Sequence, residues 1–130
     1  MRIHEVSEQY GLSADTLRYY ERIGLIPAVP RNAGGIREYD EASLQWIEFI
    51  KCMRGAGLPI DKLITYVKLY QQGDETVIAR KQLLIEERDQ LLQRIKELQS
   101  TLERLNGKIA GYEQNEPLCD IAGFTNKVGG

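Results

Sequence analysis

Histidine occurs once in this chain of 130 residues, at His4, and cysteine twice, at Cys52 and Cys119. The two cysteines are far apart and form no CxxC pair, so no disulfide framework is implied and a reducing cytosol is the default compartment. A tight soft-metal site needs two or more thiolates or imidazoles per centre, and an iron–sulfur site needs a cysteine cluster. The cluster is absent, and Cys119 stands alone near the end of the long helix, so a metal site would need a dimer to contribute it twice; no cofactor is expected. No apolar run approaches a membrane span and no secretory signal pattern opens the chain, so a cytoplasmic location without a membrane partner is expected. An enzyme would have to use Cys52 as nucleophile and His4 as base. Nothing in the spacing brings them together and no oxyanion-hole motif is visible, so an enzyme is not expected. Neither charge sign dominates, with a net charge of −2. Contact with a polyanion would therefore rest on a local basic surface, not on a basic protein.

Such a surface begins in Leu12–Pro27. Leu17, Tyr20 and Ile23 recur at three-residue spacing on one side of a helix, and Arg18 and Arg22, four apart, share a face. Ser13 suits the N-cap and Asp15 the first turn, while Gly24 suits the helix end. Upstream, Ile3, Val6 and Tyr10 supply the apolar face of a first short helix. Gly11 supplies the positive φ of a tight inter-helix turn. This is a helix-turn-helix pattern, whose second helix would enter a DNA major groove, although an ordinary helical hairpin in a core satisfies the same spacing. The segment Arg31–Tyr39 has a Gly34-Gly35 turn between β-compatible residues, predicting a small β-hairpin, a wing, with Arg31 and Arg37 on either side. From Arg18 to Arg37 there are four arginines and one acid, Glu21. Coupled to the helix pair, that local excess favours DNA contact over a plain surface hairpin.

Residues 1–71 carry nine basic and nine acidic side chains. Within them Glu41 to Ala56 reads as a helix with Leu44, Ile47 and Ile50 inward, joined by Trp46 and Phe49. Pro59 to Tyr70 reads as the next, with Leu63, Ile64, Val67 and Tyr70 inward. Gly73-Asp74 makes a break. Residues 77–112 contain no proline and have heptad order: Leu84, Leu91, Leu98, Leu105 and Tyr112 form one seam, and Ile95, Leu102 and Ile109 the other. Continued backwards, the second seam meets Arg88 and Lys81, so its start is polar. From Lys81 to Tyr112 the helix would extend about 48 Å, more than a small domain can cover by folding it back, which favours self-association. The fold class is mainly α. The expected domains are a winged helix-turn-helix at 1–72, a coiled-coil dimerisation helix at 77–112 and a short tail at 113–130.

In order, the Ile3-to-Gly11 helix, Leu17-Arg18-Tyr19-Tyr20-Glu21-Arg22-Ile23-Gly24-Leu25 and Gly35-Ile36-Arg37-Glu38-Tyr39 closely resemble the MerR family of transcriptional regulators. The resemblance continues into the long helix and covers roughly residues 1–112. It implies a homodimer joined by an antiparallel coiled coil. It also implies double-stranded promoter DNA and RNA polymerase as further partners, with activation by bending and untwisting a promoter whose spacer is too long. By position, Arg18 would contact phosphate or a base edge. Tyr19 and Tyr20 would contact the backbone, Tyr20 being also partly core by its spacing. Arg37 and Tyr39 would act from the wing. Thr16 sits near the recognition-helix start, where base edges are reached. Lys62 and Lys68 would touch phosphates, or equally be solvated surface lysines.

Sensing rests on the cysteines. Cys52 lies between Lys51 and Arg54, and cations favour the nucleophilic thiolate; a small buried hydrophobe is the plain alternative. The resemblance adds a subgroup that responds to aldehydes and thiol stress, with a short tail and one cysteine at this point of the helix. The expectation is therefore a regulator that remodels promoter DNA in response to reactive electrophiles through Cys52. The extra Cys119 is a departure from that subgroup. A metal or small-ligand sensor using Cys119 is the alternative, and a ligand-independent architectural DNA-bending protein is another.

Overall fold

The computed structural model describes residues 1–114, so Cys119 lies outside the described residues. Five α-helices follow one another: α1 (Ile3–Tyr10), α2 (Ala14–Ile23), α3 (Glu41–Gly55), α4 (Ile60–Gln71) and, after one 3₁₀ turn at Asp74–Thr76, α5 (Val77–Glu113). Contacts divide the chain into a unit of Met1–Glu87 and a second that begins at Arg88.

Local chemistry sets the helix ends. The Ser13 hydroxyl accepts the Thr16 amide at 3.0 Å and caps α2, while Gly24, at φ 85°, closes it with its amide bonded back to α2 carbonyls. The Asp40 carboxylate accepts the Ser43 amide at 2.9 Å and starts α3. That hydrogen bond is the main cause holding the Asp40 carboxyl below its ordinary value. In the first unit Val6, Leu17, Leu25, Ile26, Val29, Ile47, Ile50, Leu58 and Leu63 form one buried core. Fully burying a side chain of this size stabilises by about 1.5–3 kcal/mol. Ile47 and Ile50 of α3 and Leu63 and Val67 of α4 are buried, as their spacing requires.

Three details depart from expectation. Tyr70 is not inward but 48% exposed. It edges Trp46, with ring centroids 5.0 Å apart, and the Arg80 guanidinium lies over its ring, 5.2 Å from the centroid. The hairpin has no extended strands, only a single antiparallel bridge between Arg31 and Arg37. Asn32 closes the turn: its side-chain oxygen accepts the amides of Gly34 at 2.9 Å and Ile36 at 3.1 Å, and its own amide donates to the Ile36 carbonyl at 2.8 Å. Tyr39, expected at the DNA from the wing, is 2% exposed and belongs to the core. Burial raises its phenol above the ordinary value, and among the described residues its hydroxyl has no hydrogen-bond partner.

In the second unit α5 carries Leu92, Ile95, Leu98, Leu102, Leu105, Ile109 and Tyr112 as exposed apolar residues, Leu98 at 68%. Among the described residues, no helix is long and apolar enough to cross a membrane.

Candidate nucleic-acid interface

The helix-turn-helix and the wing are held together by one carboxylate. Glu21, on the face of α2 turned towards the wing, accepts Arg37 Nε at 2.7 Å and the Val29 amide at 2.9 Å. The side chains of Arg37 and Glu21 are 24% and 15% exposed. Burial pushes the Glu21 carboxyl up, but the bonds from Arg37 and Val29 outweigh it, and it rests below the ordinary value. The single acid in the basic stretch is thus the post that sets the wing's angle to the recognition helix. Its position between Arg18 and Arg22 was the signal in the sequence, although nothing local names its partner sixteen residues on.

Around this post the cations converge. Arg18 and Arg37 line one cleft with Arg22, Gly24 and Gln71, and a second cleft with Arg2, His4 and Arg31. Arg18 is exposed and bonds Asp15 at 3.0 Å, one turn earlier on α2. Thr16 sits in the first turn, its hydroxyl accepting from the Ser13 hydroxyl at 2.9 Å. Tyr19 is 39% exposed, with the Arg22 guanidinium 5.3 Å over its ring. Tyr20 is half-buried against the core. Lys62 is exposed in the first turn of α4, outside both clefts. Cys52 is exposed on α3 and lines neither cleft. Its neighbours Lys51 and Arg54 donate to the carbonyls of Tyr10 and Leu58. Among the described residues, no group of three or more His, Cys, Asp or Glu could hold a metal ion.

The sequence profile of the MerR HTH family regulatory proteins matches residues 1–70, and that of the MerR DNA-binding region matches residues 44–108. The chain belongs to the MerR family. As a MerR-family transcriptional regulator it is a DNA-binding protein, and its relatives are named as regulators, not enzymes. It is similar to the HTH-type transcriptional regulator AdhR of Bacillus subtilis, 58% identical over 93 residues, which are 72% of this chain and 66% of that one. A solved structure described as a MerR family transcriptional regulator from Listeria monocytogenes superposes with a TM-score of 0.85 at 48% identity, covering 87% of this chain and 86% of that one. HiNmlR, a MerR family regulator lacking the sensor domain and solved bound to promoter DNA, superposes with a TM-score of 0.79 at 29% identity, covering 87% and 90%. This MerR chain therefore falls with the AdhR/NmlR-like subgroup.

Proposed function

We propose that this MerR regulator binds promoter DNA as a homodimer and activates transcription by RNA polymerase when a reactive electrophile, such as an aldehyde, modifies Cys52. Residues 1–72 serve DNA binding and the exposed seam of residues 77–112 serves antiparallel dimerisation. The recognition helix supplies Thr16, Arg18, Tyr19 and Tyr20, the wing supplies Arg37, and Lys62 adds a phosphate contact. The likeness to AdhR over most of this chain supports the aldehyde reading.

One observation carries the sensing step. Cys52 is exposed, and the adjacent Lys51 ammonium grips the Tyr10 carbonyl at the C-terminal end of α1. An aldehyde added at Cys52 forms a carbon–sulfur bond while the thiol proton goes to the carbonyl oxygen, giving a hemithioacetal. The added bulk stands one residue from Lys51, whose ammonium donates to the Tyr10 carbonyl beside the helix-turn-helix turn. It can therefore shift the setting of the DNA-binding head between two states of the dimer.

A promoter reporter tests this with wild type, Cys52→Ser and Cys119→Ser. Cys52→Ser should still bind the promoter yet fail to activate when aldehyde is added, and Cys119→Ser should keep most of the response. Mass spectrometry of aldehyde-treated protein should find the adduct on Cys52 first. A normal response in Cys52→Ser with a silent Cys119→Ser would move the sensor to the tail.

A further inference from the structure

Between α4 and α5 the chain turns through Gly73, which stands at φ 101° with nothing within 4 Å of where a Cβ would be. By itself such a glycine is a loose joint. Two side chains, one from the turn and one from α5, close over it. The Thr76 hydroxyl, on a residue 7% exposed, lies 2.6 Å from the Leu69 carbonyl and 2.8 Å from the Gly73 carbonyl. Its oxygen accepts Arg80 Nε at 3.0 Å, and Arg80 Nη2 donates to the same Gly73 carbonyl at 3.3 Å. The guanidinium also covers the Tyr70 ring. We propose that this clasp of Arg80 and Thr76 on Gly73 stiffens the joint on which promoter remodelling depends, and that Arg80 is a positioning residue for it.

A protein that bends a duplex holds it against the elastic cost of the bend. In a dimer that load reaches each DNA-binding unit through its link to the dimerisation helix. The link is residues 72–76, and α5 then runs unbroken from Val77 to Glu113. A free glycine in the link would let the duplex relax. Two side chains on the glycine carbonyl remove that freedom. Arg80 uses its planar fork and its flat face at once, a combination that a lysine ammonium does not reproduce.

The clasp also meets the helix that carries Cys52. Tyr70, under the guanidinium, edges Trp46 of α3, and Trp46 edges Phe49 with centroids 6.1 Å apart. Phe49 and Cys52 are three residues apart on α3, neighbours on the helix surface. Packed groups therefore run from α3 through Tyr70 to the root of α5. Coupling through such a row is measured by loosening it, not by its contiguity.

This inference rests on the reading that the dimer remodels promoter DNA, and the wild type tests that reading by itself. The full chain is bound to an operator duplex selected from random sequence by the wild type. Energy transfer between labels on the two duplex ends reports the bend, and transcription from the same operator is read with and without aldehyde. Wild type should shorten the end-to-end distance of the free duplex. Arg80→Ala and Thr76→Val lie outside both cationic clefts. They should stay dimeric in sedimentation and keep operator affinity near wild type. Their bend should relax towards that of free duplex, and induced transcription should fall about fivefold or more, the low end of an allosteric coupling. The double variant should be no worse than either single one, because both remove the same clasp. Arg80→Lys should restore part of the bend, since an ammonium keeps the charge over Tyr70 and loses the fork. If the first two variants do not fold, the bend held by Arg80→Lys decides alone, and a full wild-type bend there overturns the clasp. Full bend and induction in Arg80→Ala and Thr76→Val overturn it too, while remodelling stands. So does a joint loss of Tm and affinity with the bend of the bound fraction unchanged, the mark of a merely structural role. A wild type that leaves the duplex straight removes the remodelling reading and the clasp with it. A wild type that bends the duplex but ignores aldehyde removes the sensing reading alone, and the bend still decides the clasp.

Discussion

Glu21 and Arg37, sixteen residues apart, meet at 2.7 Å and join the recognition helix to the wing. Because the same carboxylate holds the Val29 amide, one side chain fixes α2, the connecting segment and the wing at once. A residue expected to face DNA is therefore half committed to protein architecture. Arg37 presents its remaining donors from a position that Glu21 dictates.

Removing that carboxylate should be costly. Glu21→Ala leaves the partly buried Arg37 and the Val29 amide without their acceptor, which is expected to destabilise by about 1–3 kcal/mol. A fall in Tm of roughly 5–10 °C should follow in thermal unfolding. A double-mutant cycle with Arg37→Ala should show coupling between the two positions, and strictly additive effects would contradict the geometry.

Acid should weaken the fold through the same group. The folded-state carboxyl of Glu21 lies below its ordinary value of 4.5. Its contribution is therefore complete above that unfolded value and is lost as pH falls through the lowered folded value. Asp40 and Glu5 are shifted in the same direction by amides they accept. Denaturant midpoints should fall from pH 5 towards pH 3 (about the carboxylate range), and Glu21→Gln should flatten part of that limb.

Tyr39→Phe separates a core role from a DNA role. The hydroxyl is buried and, among the described residues, unpartnered, so deleting it should leave stability unchanged or slightly raised. Operator affinity should also be unchanged. A clear loss of affinity at constant stability would return Tyr39 to the interface.

Arg18→Ala should weaken operator binding and lower the salt slope by about two for a symmetric dimer, one lost phosphate contact per protomer. Arg18 is exposed and its one ion pair is with an exposed Asp15, so the fold should not suffer. Unchanged affinity would show that α2 does not face the duplex.

Charged residues at Leu98 and Leu102 should give monomer by sedimentation and strongly reduced operator binding. These side chains are 68% and 48% exposed in one chain and lie outside the first unit, so that unit's unfolding midpoint should change little. A stable wild-type monomer at micromolar concentration would count against the seam as a dimer interface.

What is local and periodic was legible in the chain alone. Ser13 and Gly24 bound the recognition helix, and the spacing of Leu17, Ile47, Ile50, Leu63 and Val67 marked the core, because caps and helical periods act within a few residues. The motif carried by Leu17–Leu25 and Gly35–Tyr39 was enough to identify the MerR family. The tertiary structure alone decided which polar groups meet. The alternation around Arg37 and Tyr39 could not say that one side chain turns to Glu21 and the other enters the core. Nothing at Arg2 or His4 announced that pairing of Met1 with Tyr39 would set them opposite Arg31. Such contacts depend on how separate elements dock, and docking is set by core packing across the whole unit, which no short stretch of chain encodes.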